Sequence, residues 1–477
     1  MFNGNGRTDT NICSLINAMA FITQRTTPKT LSLISILAMI VFLPLMLMAV
    51  QNIVVLITRA TGTPANIVVN TKTILEPIDT NFYHALAQGG EVSGDMLQPV
   101  KGDIAALHPR IIRLDHLYDH YDVNVNGSGD VTSWGSLDAA VDTILAIGAK
   151  PLLALSYMPS AIAQNGSIIN PPNDWNAWSR VVQQTIEHFS GARGISGIYY
   201  EVWNEPDLAQ FGGWKYYGDK NYITLYHYAA VGAKNAANVS TFYLGGPSTA
   251  GLYKDWIISL VQSGNRLNFL SWHTYQVDPS FYDNDQRNII QWLLPYPSYT
   301  LIPKLVTEFG FTGDKSSLYG TSYAAAHAAA VIGKLITGGP TYLFSFQPVD
   351  GPNQQSGTGW GLITNPDNGQ KKKPRYWVYN FIDRMAGSRL PLSGEGTWVT
   401  GFASTKNGVI RLMLTNFRGN TENVPVTFTG VDPGSYKLRS TYIFGSDTTV
   451  NVDITGPTYQ TKVPMTSNNI LILELSK

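Results

Sequence analysis

Residues 197–205 read GIYYEVWNE, a mostly apolar run that ends on Asn204 and Glu205 and is closed by Pro206. A carboxylate at the end of a run that a sheet would bury is costly unless something holds it. The same ending recurs at residues 304–310, KLVTEFG, where Glu308 follows an apolar stretch. Six further runs of this kind surround the two: FYHALAQ (82–88), RIIRLDH (110–116), KPLLALSY (150–157), TFYLGGP (241–247), FLSWHTY (269–275) and TYLFSFQ (341–347). Helical patterns lie between them. Residues 137–147 carry apolar side chains at helical spacing and stop at Gly148; residues 175–189 open behind Asn173-Asp174, an N-cap signal. Residues 222–238 and 322–337 are Ala-rich and amphipathic. Eight strands alternating with helices over about 270 residues predict an α/β fold, a (β/α)8 TIM barrel, here assigned to residues 74–386. GIYYEVWNE is then strand four and KLVTEFG strand seven.

Outside the barrel the texture changes in both directions. Beyond residue 387, segments such as GVIRLMLTNF, VPVTFTGV, SYKLRSTYIF and NILILELS alternate at period two between Gly, Asn, Asp and Pro. They predict a C-terminal antiparallel β-sandwich over residues 387–477. Upstream, residues 31–57 read LSLISILAMIVFLPLMLMAVQNIVVLI, with no charge from 30 to 58. A spanning helix needs about 20 mostly apolar residues, so this run predicts an N-terminal transmembrane helix acting as an uncleaved signal anchor. A cleaved signal peptide is the competing reading, but its apolar region runs only about 7–15 residues. Arg7, Arg25 and Lys29 precede the run and only Arg59 closely follows it. That bias sets residues 1–30 as a cytoplasmic tail, residues 58–73 as a linker, and the catalytic part outside the membrane, at the cell surface or in the periplasm.

Composition removes several function classes. Thirty-three basic residues balance thirty-three acidic ones, so no field steers the chain to nucleic acid. Cys13 is the single cysteine, which excludes an internal disulfide framework and a cysteine-based metal site. The eight His are scattered, no HExxH occurs, and no Gly-rich phosphate loop precedes a helix, so neither a metal nor a cofactor is expected. The lysines at 371–373 read as a solvated turn.

The chemistry rests on the two strand-end acids. In barrel enzymes reactive groups sit at the C-terminal ends of the strands, which is where Glu205 and Glu308 fall. Each could merely pair with an Arg or cap the next helix. Two such acids on strands four and seven, with Asn204 before the first, instead match glycosidic cleavage, which needs two carboxyl groups flanking the sugar. On strand six, His273 and Tyr275 share a face two residues apart. Either they are a hydrogen-bonded core pair, or Tyr275 donates to Glu308 and His273 faces the sugar or aglycone.

YYEVWNEPD and KLVTEFG resemble the acid/base and nucleophile motifs of clan A glycoside hydrolases, most closely those of family 39, and the resemblance runs from about residue 74 to the end of the chain. It implies that Glu205 is the general acid/base, Glu308 the nucleophile, and Asn204 the partner of the sugar 2-hydroxyl in the −1 subsite. It also implies retention through a covalent glycosyl-enzyme, for which the carboxyls stand about 5–5.5 Å apart. Arg113 on strand two matches the family's Arg, a neighbour that keeps the nucleophile anionic. The family places His-Gly two residues beyond that Arg; here Asp115 holds the offset and His116 follows one place on. The strand-eight Trp that often floors the subsite is replaced by Phe344 and Phe346, and Trp360 in the next loop is either the substitute stacking face or simple packing. The expected partner is an oligo- or polysaccharide, with the membrane engaged through the N-terminal helix. A transglycosidase with the same residues and a non-catalytic glycan-binding barrel are the alternatives.

Overall fold

The computed structural model describes residues 62–336, 341–352 and 357–477. Eight parallel strands close into a barrel in chain order: Ala85–Gln88, Ile111–Leu114, Lys150–Leu155, Ile198–Val202, Phe242–Thr249, Phe269–Tyr275, Lys304–Gly310 and Thr341–Phe346, the last pairing with the first. Both faces of the strands are buried, the interior by side chains of other strands and the exterior by helices. That is why their sequences read as near-continuous apolar runs. Helix boundaries follow their end signals. Asp174 caps Trp175–Ile186 by accepting from the Asn176 amide at 2.9 Å, and Gly148 ends Leu137–Ile147 at φ 93°.

Inside the barrel, Ile111, Leu152, Phe269, Leu305 and Phe344 form an apolar plug. Further along the same strands the inward positions turn polar, with Arg113, Glu201 and His273 fully buried. Two register shifts re-aim side chains there. Strand seven pairs Val306 with Trp272 but Glu308 with His273, so Thr307 is an extra residue. Strand five pairs Pro247 with Ser271 but Thr249 with Trp272, so Ser248 is another.

The sandwich has two sheets. Six strands order as Ser388–Leu390, Val399–Lys406, Val409–Asn416, Asn469–Ser476, Gly434–Tyr442 and Asp447–Ile454. The second sheet joins Leu392–Ser393, Ile67–Asn70, Glu422–Thr429 and Thr458–Met465. Ile67–Asn70 lies in the stretch expected as a linker, yet it runs parallel to Glu422–Thr429, with Ile67 opposite Val426. Leu412 and Leu414 fill the sandwich core, while Met413 points the other way into the barrel's apolar core with Phe402, Ile470 and Ile472. One sheet therefore buries both faces and welds the two parts together.

The expected fold class needs one correction. Residues 31–57 lie outside the described residues, and among the described ones no helix is long and apolar enough to cross a membrane. The longest, Ser322–Ile336, has 15 residues, against the roughly 20 needed. Its alanines are buried, Ala325, Ala328 and Ala329 in the barrel's apolar core and Ala326 and Ala330 beside Phe417. Over the described residues the fold is a (β/α)8 barrel with a β-sandwich, and no transmembrane helix is among them.

Candidate active site

The C-terminal strand ends surround a cavity of about 430 Å³ whose wall includes Asn204, Glu205, Tyr275 and Glu308. Strand four reaches it through a sharp turn in which Trp203 (φ 73°) and Glu205 (φ 42°) both take left-handed backbone conformations. Such conformations cost a non-glycine residue energy and persist where the surroundings over-determine them. Here the buried Trp203 indole donates to the Phe211 carbonyl at 2.8 Å, and the Glu205 amide donates to the Ser248 carbonyl at 2.9 Å. The turn aims the Glu205 carboxylate across the barrel mouth.

Glu308 is held from two sides. Its Oε1 accepts from Arg113 Nη1 at 2.9 Å and its Oε2 from the Tyr275 hydroxyl at 2.7 Å. His273 Nδ1 lies 2.9 Å from Glu205 Oε1 and 3.6 Å from Glu308 Oε2, while its Nε2 is 3.1 Å from Ser248 Oγ. One oxygen of Glu205 and one of Glu308 lie within 4.8 Å of each other.

Beneath this layer Arg113 binds three more groups. Its Nε donates to Glu201 at 2.7 Å, and its Nη2 donates to Asn204 Oδ1 at 2.6 Å and reaches Ser248 Oγ at 3.5 Å. Glu201 also accepts from Thr307 at 2.9 Å, and Asn204 Nδ2 donates to the Tyr157 hydroxyl at 2.9 Å. The extra residues Thr307 and Ser248 are therefore both used, one on each side of the ion pair.

These contacts set the charges. Burial works against the Arg113 guanidinium, but Glu201, Glu308 and Asp115 outweigh it and hold the group charged. Burial raises the Glu308 carboxyl above the ordinary range; His273 and Arg113 oppose that rise, while Glu205 and Asp115 add to it. Burial lowers the His273 ring, but Glu308 and Glu205 reverse the sign and leave it raised. Burial, helped by Glu308, pushes the Tyr275 hydroxyl well up, so it remains a donor.

The matches to known proteins bear on this geometry. Residues 100–291 match the model of glycosyl hydrolases family 39. A beta-xylosidase of Geobacillus stearothermophilus is 24% identical over 351 residues, 62% of this chain and 66% of that protein. A beta-xylosidase of Caldicellulosiruptor saccharolyticus is 32% identical over 163 residues, 31% of this chain and 32% of that protein. The chain thus spans just under two thirds of the first relative's length and about a third of the second's. The GH39 enzyme from Xanthomonas axonopodis pv. citri superposes with a TM-score of 0.66 at 19% identity, covering 87% of this chain and 97% of that one.

Over residues 100–291 the chain is similar to the family 39 glycoside hydrolases. The matched segment carries Arg113, His116, Asn204, Glu205, His273 and Tyr275; Glu308 and Trp360 lie beyond it. Among the residues expected from sequence, Arg113, Asn204, Glu205, His273, Tyr275 and Glu308 come together in the network above. His116 lines the same cavity one step away, its Nδ1 2.8 Å from Asp119 and its ring stacked on His120 at 4.2 Å. Trp360 lines the wall as well, edge-on to Phe346 at 5.6 Å, whereas Phe344 lies in the apolar plug.

Two groups among the described residues have metal-ligand spacing. One is Glu205, His273 and Glu308; the other is His116, Asp119 and His120. In the second, the imidazoles lie nearly parallel, 8° apart, so one ion cannot sit in both ring planes.

Four further contributors to this site were not singled out in the sequence. Glu201 had a signal, being a charged residue on the inward parity of an apolar strand, four before Glu205. Ser248 had none, because its position depends on a register shift. Lys373 and Asp350 had the opposite signal. Lys373, expected in a solvated turn, is buried with its Nζ 2.6 Å from Asp350 Oδ2 and 2.8 Å from the Gly359 carbonyl. Asp350 Oδ1 accepts from the Gly361 amide at 2.6 Å. The pair clamps the backbone on both sides of Trp360.

Proposed function

We propose that the protein is a retaining O-glycoside hydrolase of the beta-xylosidase type, acting on an oligo- or polysaccharide. Glu308 attacks the anomeric carbon while Glu205 gives its proton to the departing oxygen, leaving a covalent glycosyl-enzyme. Glu205, now a base, then takes a proton from water as that water attacks the same carbon and Glu308 leaves. The carrying observation is the approach of the two carboxylates to within 4.8 Å. Retaining pairs stand about 5–5.5 Å apart and inverting pairs about 6.5–9.5 Å. The two donors on Glu308 support its role as the anionic nucleophile, and His273 beside Glu205 supports a positioned acid/base. Asn204, oriented by Arg113 and Tyr157, is suited to the sugar 2-hydroxyl.

The test is the stereochemistry of an aryl β-xyloside reaction followed by proton NMR. The first-formed sugar should be the β anomer; an α first product would overturn retention. Glu308→Ala should lose turnover, with azide restoring an α-glycosyl azide. Unchanged hydrolysis in that variant would remove Glu308 from its role.

A further inference from the structure

The cavity wall carries three carboxylates beyond the reacting pair: Glu91, Asp115 and Asp314. Among the described residues that line it there is no Lys or Arg. Asp115 matters most, because it is 4% exposed and stands where the family pattern places a histidine. Its Oδ1 accepts from the Gly90 amide at 2.9 Å, and its Oδ2 is 3.9 Å from Arg113 Nη1, a guanidinium already bonded to Glu201 and Glu308. Glu91 is likewise built in. It accepts from the Gly351 amide at 2.8 Å and from Gln347 Nε2, and Lys315 is 3.2 Å away.

Three cations at the cavity are matched by carboxylates, while Arg375 behind the wall is buried and spends its Nη2 on the carbonyls of Phe346 and Trp360. Lys315 faces Glu91, His116 faces Asp119, and Arg113 is shared by Glu201, Glu308 and Asp115. A sugar carboxylate entering here would lose water and meet like charge, with no Lys or Arg among the described lining residues to receive it, which selects strongly against it. Hydroxyl or ammonium donors on a sugar would instead find charged acceptors, which make the stronger class of hydrogen bond.

Resting on the proposed hydrolase reading, we propose that Asp115, with Glu91, is a charge filter on the glycone. It admits neutral and aminated sugars and rejects uronic acids.

The test pairs aryl glycosides that differ only in charge, a β-glucoside with the β-glucuronide and a β-galactoside with the β-galacturonide, beside the β-xyloside as reference. Turnover by the wild type is measured at pH 7 and low salt, and equilibrium binding of the same pairs to Glu308→Gln by calorimetry. The uronides should fall at least about 100-fold below their neutral partners in kcat/KM and in affinity. Asp115→Asn keeps an acceptor for the Gly90 amide while removing the charge, and should narrow the ratio by about 10-fold. A structural role alone would change all substrates equally. A uronide processed or bound as well as its neutral partner overturns the filter, as does a ratio unmoved in Asp115→Asn or no neutral preference in either binding pair. Failure of every glycoside to turn over overturns the hydrolase reading instead, and the binding ratios still decide the filter.

Discussion

The Tyr275 hydroxyl donates to Glu308 Oε2 at 2.7 Å, on the oxygen opposite the one that Arg113 binds. Each donor favours the carboxylate form, against the burial that raises the group. Tyr275→Phe removes one donor without changing shape. The acid limb of the kcat/KM profile should therefore move to higher pH, because Glu308 becomes harder to ionise. The rate at the optimum should fall about 10–100-fold. An acid limb unmoved in the variant would show that Tyr275 does not control the ionisation of Glu308.

Glu201 tests the layer beneath. It is fully buried and shares Arg113 with Glu308 and Asn204. Glu201→Gln keeps the volume but leaves the guanidinium short of one carboxylate. Breaking a buried charge pair costs about 3–5 kcal/mol, read as a lower denaturation midpoint. Glu201→Gln should also lower kcat more than it raises KM, since Arg113 would settle differently against Glu308. A variant as stable as the wild type would refute the pairing.

Asp285 gives a pH dependence of opposite sign to that of most acids. Burial pushes its carboxyl up to about 6, with the Thr274 hydroxyl at 3.1 Å opposing the shift. A carboxyl raised in the folded state contributes no penalty below its unfolded value near 4. It destabilises progressively as pH rises through about 6. Asp285→Asn should stabilise the fold by on the order of 1–3 kcal/mol at pH 8 and by little at pH 4. Urea midpoints at the two pH values measure this; a gain confined to pH 4 would reverse the assignment.

The Lys373–Asp350 pair is the fourth test. Asp350→Ala leaves an ammonium buried without its partner and should cost about 3–5 kcal/mol. It should also raise KM, since Trp360 would lose the bonds that fix its neighbours. The double variant Asp350→Leu with Lys373→Met should recover most of the stability, and a double-mutant cycle gives the coupling directly. Additive effects would mean that the pair is not a unit.

Much of the barrel was legible because its signals are local. The helix expected at 137–147 and the strands expected at 269–275 and 304–310 have those same bounds in the fold. Glu205 and Glu308 stood out because an acid at the end of a buried strand requires a reason. What escaped was set by distant partners. A period-two reading puts Thr307 and Glu308 on opposite faces, and only the register against strand six brings both inward. Lys373 sat in a run of three lysines, and nothing nearby announces that Asp350 neutralises the last of them. Residues 67–70 are too few to read as a strand until Glu422–Thr429 pairs with them across the whole barrel sequence. The departure from the family on strand two was visible as Asp115; which way its carboxylate faces was not.

That early strand has a consequence for how the protein is assembled. Ile67–Asn70 precedes the barrel and its two neighbours in the sheet follow it, so the sandwich is a clasp that fastens the two ends of the barrel. Its second sheet joins a strand from before the barrel to strands from after it. Removing residues up to Asn70 would expose the edge of Glu422–Thr429, an open template for pairing with another chain. The ninety residues or so after the barrel are therefore not a detachable module, and the molecule should melt in one transition.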